Sequence, residues 1–265
     1  MIRIAIPVKN RAWILPDLLR SIPLLDFPKS ELSIHFVDDG STDSSVQLIK
    51  NFARTKAGKS YRSIRCDTFP SNGDNNTSSR NASSRYECYE RLAFFRNRLI
   101  NQAVEDKAAH VLMLDSDTLV KPGLLRRLLD CRVPVVANIN FVDCPECGLG
   151  VNPFRTHGII NAARLVYDKL EKDNVEKITL GKIMRWERGK LISVDVLGGC
   201  VLMDYSAIRT GQFDRHPKGE FIPFCLDLKK SGIAMYVLAE PLSVHVMVPR
   251  HLDDARTWVF SNATD

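Results

Sequence analysis

Residues 110–123, "HVLMLDSDTLVKPG", place two carboxylates, Asp115 and Asp117, on either side of Ser116 directly after an apolar run. Val111, Leu112, Met113 and Leu114 have the character of a buried strand. Two carboxylates ~5 Å apart at the edge of a core repel by ~3 kcal/mol at an effective dielectric of about 20. Something positive should offset that repulsion. A divalent cation is the first candidate, and a neighbouring arginine or plain solvent would also serve. A second acidic pair, Asp38 and Asp39, follows another apolar run in "LSIHFVDDGSTDSS". There Ser41, Thr42 or Asp43 can cap the helix that comes next.

The elements around these residues alternate. "IRIAIPV" reads as a strand, and "WILPDLLRSIPLL" as a helix with Ile14, Leu15, Leu18, Leu19 and Ile22 on one face and Pro16 in the first turn. "LSIHFV" is a strand, its following helix turns Val46, Ile49 and Phe52 inward, and "SIRC" is a short third strand. Residues 67–86 are polar and turn-rich, which predicts a surface loop. A helix from about Glu87 to Val104 presents Leu92, Phe95, Leu99 and Ala103 to the core. After the strand before Asp115 come a helix in "PGLLRRLLD" and a strand in "VPVVANINF". This alternation predicts an α/β fold with a mostly parallel sheet and helices on both faces. Such sheets bind ligands beyond the carboxyl ends of their strands, where both acidic pairs lie.

The second half is less regular. "LISVDVLGGCVLM" reads as two strand segments hinged at Gly198 and Gly199. "GEFIPFCLDLKKSG" is a short helix stopped at Gly232, and "IAMYVLAEPLSVHVM" gives two strands with His245 late in the second. With no internal repeat and no linker, residues 1–265 are expected to form one domain, in halves of about 1–130 and 131–265.

Composition narrows the function classes. The 265 residues are 45% hydrophobic and 26% charged, ordinary for a globular protein with a single core. A net charge of +6 favours anionic partners such as nucleotides, phosphorylated substrates or an acidic membrane surface. No basic stripe interleaved with aromatics stands out, so nucleic acid is not expected as a partner. "MIRIAIPVKN" lacks the form of a secretory signal, and no apolar run approaches the ~20 residues of a membrane span. Seven cysteines, an odd count, read as reduced thiols of a cytoplasmic protein, with peripheral attachment to a membrane surface left open. Cys144 and Cys147 pair in "CPEC" without the second pair that a zinc site needs. The sequons at Asn75, Asn76, Asn81 and Asn262 read as polar loop residues. Trp186, in a basic run, either meets a lipid phosphate or polymer or lies in a solvated loop.

Five segments together resemble a family 2 glycosyltransferase of the GT-A (Rossmann-like) fold: "IAIPVKNRAWILPDLLRSI", "FVDDGSTDSS", "FFRNRLINQAV", "LMLDSDTLV" and "VDVLGGCVLM". The likeness covers about residues 2–130 and 191–247, with the motifs in the family's order. It implies a nucleotide-sugar-binding first half, an acceptor-side second half, and transfer of a sugar from a UDP-sugar to a hydroxyl on a glycan, lipid-linked or protein acceptor. It also implies Mn²⁺ or Mg²⁺ on an Asp-x-Asp motif, with Asp117 and Asp115 as ligands and His245 completing the shell. Hard oxygen ligands suit such a cation, which acts as a Lewis acid on the departing diphosphate. In the donor pocket the resemblance puts Asp38 and Asp39 at the base and ribose. Pro7, Val8 and Asn10 follow the first strand and match the loop lining the base, beside Arg11, which stands where the family often has an acid. By the same resemblance Arg96 reaches toward the nucleotide, Asp115 touches the metal or the ribose, Ser116 belongs to the donor pocket, and Gly198 and Gly199 form the turn near the sugar.

The departure from the pattern lies in "GEFIPFCLDLKKSG". Inverting relatives carry acids where this chain has Phe221 and Pro223, and only Glu220 is retained. A general base must reach the acceptor hydroxyl. Glu220 is therefore the expected base of an inverting transfer, with Asp227 and Asp214 behind it. A retaining enzyme without that base is the alternative. A sugar nucleotidyltransferase would need a glycine-rich loop after the first strand, which "IPVKNRAWILP" lacks, and a non-catalytic sugar-binding module has only Phe221 in its favour.

Overall fold

The structure is a computed structural model that describes residues 1–70, 82–142, 159–165, 175–179, 189–217 and 219–261. Strands β1 (Ile2–Val8), β2 (Leu32–Asp38), β3 (Ser63–Thr68) and β4 (His110–Met113) form a parallel group in the order β3-β2-β1-β4. Beyond β4 the short β11 (Val201–Asp204) runs antiparallel, and β6 (Val135–Val142) is antiparallel to β11. Thus β6 returns to the direction of the first group. β12 (Met235–His245) lies parallel to β6. The central sheet is mostly parallel, as expected, with one reversed strand wedged into it. At its far side β7 (Ile159–Leu165), β8 (Val175–Thr179), β9 (Leu191–Val194) and β10 (Val196–Leu197) add antiparallel pairs.

Period-two alternation explains why both faces are covered. In β1, Ile2, Ile4, Ile6 and Val8 join one apolar cluster while Ala5 joins the other. In and after β4, Leu112 and Leu114 face the first cluster, and Val111 and Met113 the second. Helices α1 (Leu15–Ser21), α2 (Ser45–Arg54), α5 (Leu124–Asp130) and α8 (Leu252–Phe260) close the first face. On the second face lie α4 (Ala82–Glu105), α6 (Tyr205–Thr210) and α7 (Phe221–Lys230). A short α3 (Lys56–Lys59) follows α2. Each fully buried Leu or Ile in these clusters contributes ~1.5–3 kcal/mol by leaving water. Among the described residues no helix is long and apolar enough to cross a membrane.

Several local expectations meet the structure in detail. The helix face of Ile14, Leu15, Leu18, Leu19 and Ile22 is buried as the spacing predicts, with Pro16 in the first turn. In α2, Ile49 and Phe52 are buried, whereas Val46 is only half-buried. α4 begins five residues earlier than the spacing indicates, at Ala82. α7 ends at Lys230, and Gly232 takes φ +72° just beyond it, a left-handed stop that favours glycine. The two strands expected in "IAMYVLAEPLSVHVM" are one bent strand, β12. Proline lacks the N–H that the ladder uses, so Pro241 introduces register shifts on both sides without ending the strand. Cys144, Cys147, Trp186 and the four sequon asparagines lie outside the described residues.

Candidate active site

The carboxyl ends of β1, β2 and β4 lie side by side, because Val8 pairs with Asp38 and Ala5 with Met113. The chain leaves β4 through Leu114, whose N–H is bound by Ala5 O at 3.0 Å. Thr118 N–H then closes a turn on Asp115 O at 3.0 Å. It continues as β5 (Thr118–Val120), which pairs antiparallel with β12 so that His245 stands opposite Thr118. Val246 N–H donates to Asp117 O at 2.8 Å. This register brings a histidine 128 positions away in sequence against the second aspartate of "DSD".

Each aspartate of the motif has its own cation. Asp117 Oδ1 faces His245 Nε2 at 2.7 Å, and its Oδ2 accepts from Arg11 Nε at 3.0 Å. Burial alone would raise the Asp117 carboxyl. The His245 and Arg11 charges overcome that and hold it well below the usual carboxylate range. Burial alone would lower His245. The Asp117 carboxylate, joined by that of Asp115, instead pushes it up to about 9. Asp115 Oδ1 accepts from Arg96 Nη2 at 2.6 Å, and Arg96 Nε donates to Glu220 Oε1 at 2.8 Å. Arg96 is 3% exposed and lies 4.6 Å above the Phe221 ring. Burial would lower its pKa, but Asp115 and Glu220 raise it. Glu220 is 6% exposed and stands at the start of α7, where its side chain makes no capping bond.

Phe221 thus forms the floor beneath this arginine. Its ring also meets Gly198, where an added Cβ would come within 3.4 Å of it, and Gly199 turns the chain with φ +79°. Asp227 and Asp214 are engaged elsewhere: Asp227 accepts from Gln212 N–H at 3.2 Å, and Asp214 from Arg215 N–H at 2.7 Å.

The second acidic pair divides its work. Asp38 is fully buried and accepts from Ser41 N–H at 3.1 Å, so its carboxylate closes the turn after β2. Asp39 reaches further out, paired with Arg91 and with Lys9 Nζ at 3.4 Å. Pro7 and Val8 do not follow the first strand, as the sequence reading has it. They are the last, buried residues of β1, held because Asp39 N–H donates to Val8 O at 2.8 Å. The loop proper begins at Lys9. Asn10 takes φ +48°, and its side chain accepts from Thr42 N–H at 2.8 Å. Arg11 N–H donates to Ser45 Oγ at 2.8 Å and Ala12 N–H to Asp43 Oδ2 at 2.9 Å. Burial would raise the Asp43 carboxyl, but bonds from Ser45 and from the Ala12 N–H, with the Arg11 charge, lower it. Ser116, 6% exposed, sits between the two aspartates. Sequence reasoning missed Lys9 and Arg91, since a lysine in a loop and an arginine five residues before Arg96 carry no local signal.

Asp117 Oδ1 and His245 Nε2 are adjacent atoms of the kind that hold Mg²⁺ or Mn²⁺, the imidazole only after it gives up the proton it shares with Asp117. Such ions commonly take only one or two protein ligands and complete their shells with water and substrate phosphates. Among the described residues no three His, Cys, Asp or Glu side chains gather to hold a metal alone. The donor set therefore fits an ion that arrives with a phosphate ligand. The described cysteines, Cys66, Cys88, Cys131, Cys200 and Cys225, are free thiols, and burial raises all five.

Known proteins resemble this chain in sequence and in fold. Residues 1–144 match the family model described as glycosyltransferase family 25, N-terminal domain. Over 254 residues the chain is 22% identical to a glycosyltransferase 25 family member of Anopheles gambiae, covering 94% of this chain and 41% of that protein. It is 30% identical over 139 residues to one from Drosophila pseudoobscura pseudoobscura, covering 51% of this chain and 22% of that protein. The chain spans less than half the length of these relatives. Among solved structures, S. aureus TarS 1–349 in complex with UDP-GlcNAc superposes with a TM-score of 0.56 at 17% identity, over 93% of this chain and 58% of that one. GalNAc-T7 with UDP, GalNAc and Mn²⁺ gives 0.57 at 14% identity, over 93% of this chain and 44% of that one. At these identities the likeness is one of fold, the GT-A arrangement.

Proposed function

Because this chain belongs to glycosyltransferase family 25, we propose that residues 1–265 act as one domain that transfers a sugar from a nucleoside-diphosphate donor, a UDP-sugar, to a hydroxyl acceptor, with a divalent cation and inversion at the anomeric carbon. The motifs resemble family 2, while the matched family is 25; the reading as a glycosyltransferase is common to both. The UDP donor is suggested by the ligands of TarS and GalNAc-T7.

One observation carries the proposal. Arg96 joins the aspartate motif to the acceptor-side carboxylate, with 2.6 Å to Asp115 and 2.8 Å to Glu220. A donor group and an acceptor group are thereby fixed to one buried guanidinium. Arginine suits that task because its planar fork engages two carboxylates at defined angles. Asp39 would accept from the ribose or base, beside the hydrogen-bonded Asn10–Ala12 loop. Asp117 and His245 would hold Mn²⁺ or Mg²⁺, which would neutralise charge on the diphosphate as it leaves. Glu220 Oε1 is committed to Arg96, and Oε2 makes no hydrogen bond among the described residues. Oε2 is then the atom that takes the acceptor's hydroxyl proton while that oxygen attacks the anomeric carbon.

Glu220→Gln tests this assignment. The amide keeps the shape and the contact to Arg96 but takes no proton, so kcat should fall by ~100-fold or more. UDP affinity in the presence of Mn²⁺, measured by calorimetry, should stay within a few-fold of wild type. Retention of most of kcat, or a product with the donor's anomeric configuration, sinks the inverting assignment.

A further inference from the structure

Arg11 is the cation that joins the first loop to the aspartate motif. The structure ties it firmly into the loop. Its backbone N–H is fixed to Ser45 Oγ at 2.8 Å, and the flanking Asn10 and Ala12 are tied to Ser41 Oγ and Asp43 Oδ2 at 2.9 Å each. Its Nη1 donates to Lys9 O at 3.0 Å and to Asn10 O at 3.3 Å. Its Nε donates to Asp117 Oδ2 at 3.0 Å, while Nη2 makes no hydrogen bond among the described residues. The side chain remains 30% exposed, against 9% for Asp117. One end of the guanidinium therefore neutralises the carboxylate, and the other end is open to a ligand.

We propose that Arg11 is an internal counter-cation of the donor site. With no donor bound it competes with a divalent cation for Asp117, and with donor and metal bound it pairs with the diphosphate instead. The idea rests on the reading of this edge as a nucleoside-diphosphate site. Its physical basis is charge balance. A divalent cation approaching Asp117 meets the guanidinium already on Oδ2, so metal alone binds weakly. A diphosphate gives that guanidinium a second anionic partner within the same fork, which frees Asp117 for the metal. Metal and nucleotide thereby favour one another's binding, and linkage requires the effect to be equal in both directions.

The consequence is specific to Arg11 and opposite in sign for the two ligands. In Arg11→Gln, Mn²⁺ alone should bind ~10-fold more tightly than in wild type, because the competing charge is gone. UDP, titrated at saturating Mn²⁺, should bind ~10-fold more weakly, because the diphosphate has lost a cation. Both changes lie within the usual range of coupling between sites. Arg11→Lys keeps the charge without the fork and should fall between the two proteins on both measurements. Calorimetric titrations of Mn²⁺ alone, and of UDP with Mn²⁺, at one fixed pH give both affinities without any turnover. Thermal unfolding without ligands checks that each variant is folded. If both affinities drop together, Arg11 merely braces the loop and the proposal is overturned. It is equally overturned if Mn²⁺ alone binds no more tightly in Arg11→Gln. Wild-type protein that binds Mn²⁺ but shows no affinity for UDP would overturn the nucleotide reading instead, whatever Arg11 does to the metal.

Discussion

Asp117→Asn in the metal-free protein should change how stability depends on pH, as well as its size. In the wild type His245 Nε2 lies 2.7 Å from Asp117, and its pKa stands at about 9 against an ordinary 6.5. The folded value lies above the unfolded one. The bound proton therefore contributes stability that is complete below about pH 6.5 and is lost as pH rises through about 9. At ~1.4 kcal/mol per tenfold change in proton affinity, the difference amounts to ~3 kcal/mol. Asparagine keeps the shape at 117 and can still hydrogen-bond, but it attracts no proton to the imidazole. Burial, which lowers the His245 pKa, then prevails, and the folded variant carries a neutral ring. Arg11 is partly exposed and can turn to water, so its lost ion pair adds little to the cost.

Two curves follow from this reasoning. Urea unfolding in EDTA should show the variant less stable by ~3 kcal/mol at about pH 6. The gap should nearly close by about pH 9.5, because only the wild type loses the His245 contribution on the way. In thermal melts the low-pH gap corresponds to a drop of ~6–12 °C for a chain of this size. Other groups whose titration differs between the folded and unfolded chain, the buried thiols among them, are common to both proteins and cancel in the difference. Parallel curves with a constant offset would refute the argument, since they would mean that Asp117 does not hold the His245 proton.

Two further outcomes are expected. Asp39→Ala should weaken UDP binding by ~10-fold to the same extent with and without Mn²⁺, as loss of one charge-assisted contact to ribose or base implies; a calorimetric loss confined to the Mn²⁺ titration would assign Asp39 to the diphosphate instead. Gly211→Ala should lower stability by ~1–3 kcal/mol in urea, because the new Cβ would sit 2.5 Å from the Phe224 ring. That ring is fully buried and stacked on Phe213 at 4.5 Å, so it has no room to yield, and an unchanged midpoint would show that it moves after all.

The sheet and its helices were legible because their signals are local. Alternation in "IRIAIPV" and the continuous apolar run before Asp115 report strands buried on both faces, and the Pro16 and Gly232 positions mark helix ends. The site was legible only in part. Both acidic pairs follow strands, and strand ends in a parallel sheet converge, so their neighbourhood could be inferred from topology. What joins them could not. Arg11 and Asp117 are 106 residues apart and Arg96 and Glu220 are 124 apart, and no periodicity connects them. The β12 irregularity was hidden for a related reason. A proline in a strand reads as a break, and only the two neighbouring ladders show that β12 continues past it.

The charges at this edge answer the repulsion that two adjacent aspartates pose. Asp38, Asp39, Asp115, Asp117 and Glu220 share it with Lys9, Arg11, Arg91, Arg96 and a His245 that stays protonated up to about pH 9. Among these ten side chains anionic and cationic groups are equal in number, and Asp39, Asp115, Asp117 and Glu220 of the donor-free edge each have a cation within the protein. A divalent cation entering alone would upset that balance, whereas a cation entering with a diphosphate would preserve it. Cleavage of a sugar–phosphate bond then leaves one more negative charge on the diphosphate than the intact donor carried. On the proposed reading, the Arg11 guanidinium, with its Nη2 open and next to the carboxylate that would hold the metal, would stabilise that added charge as it develops.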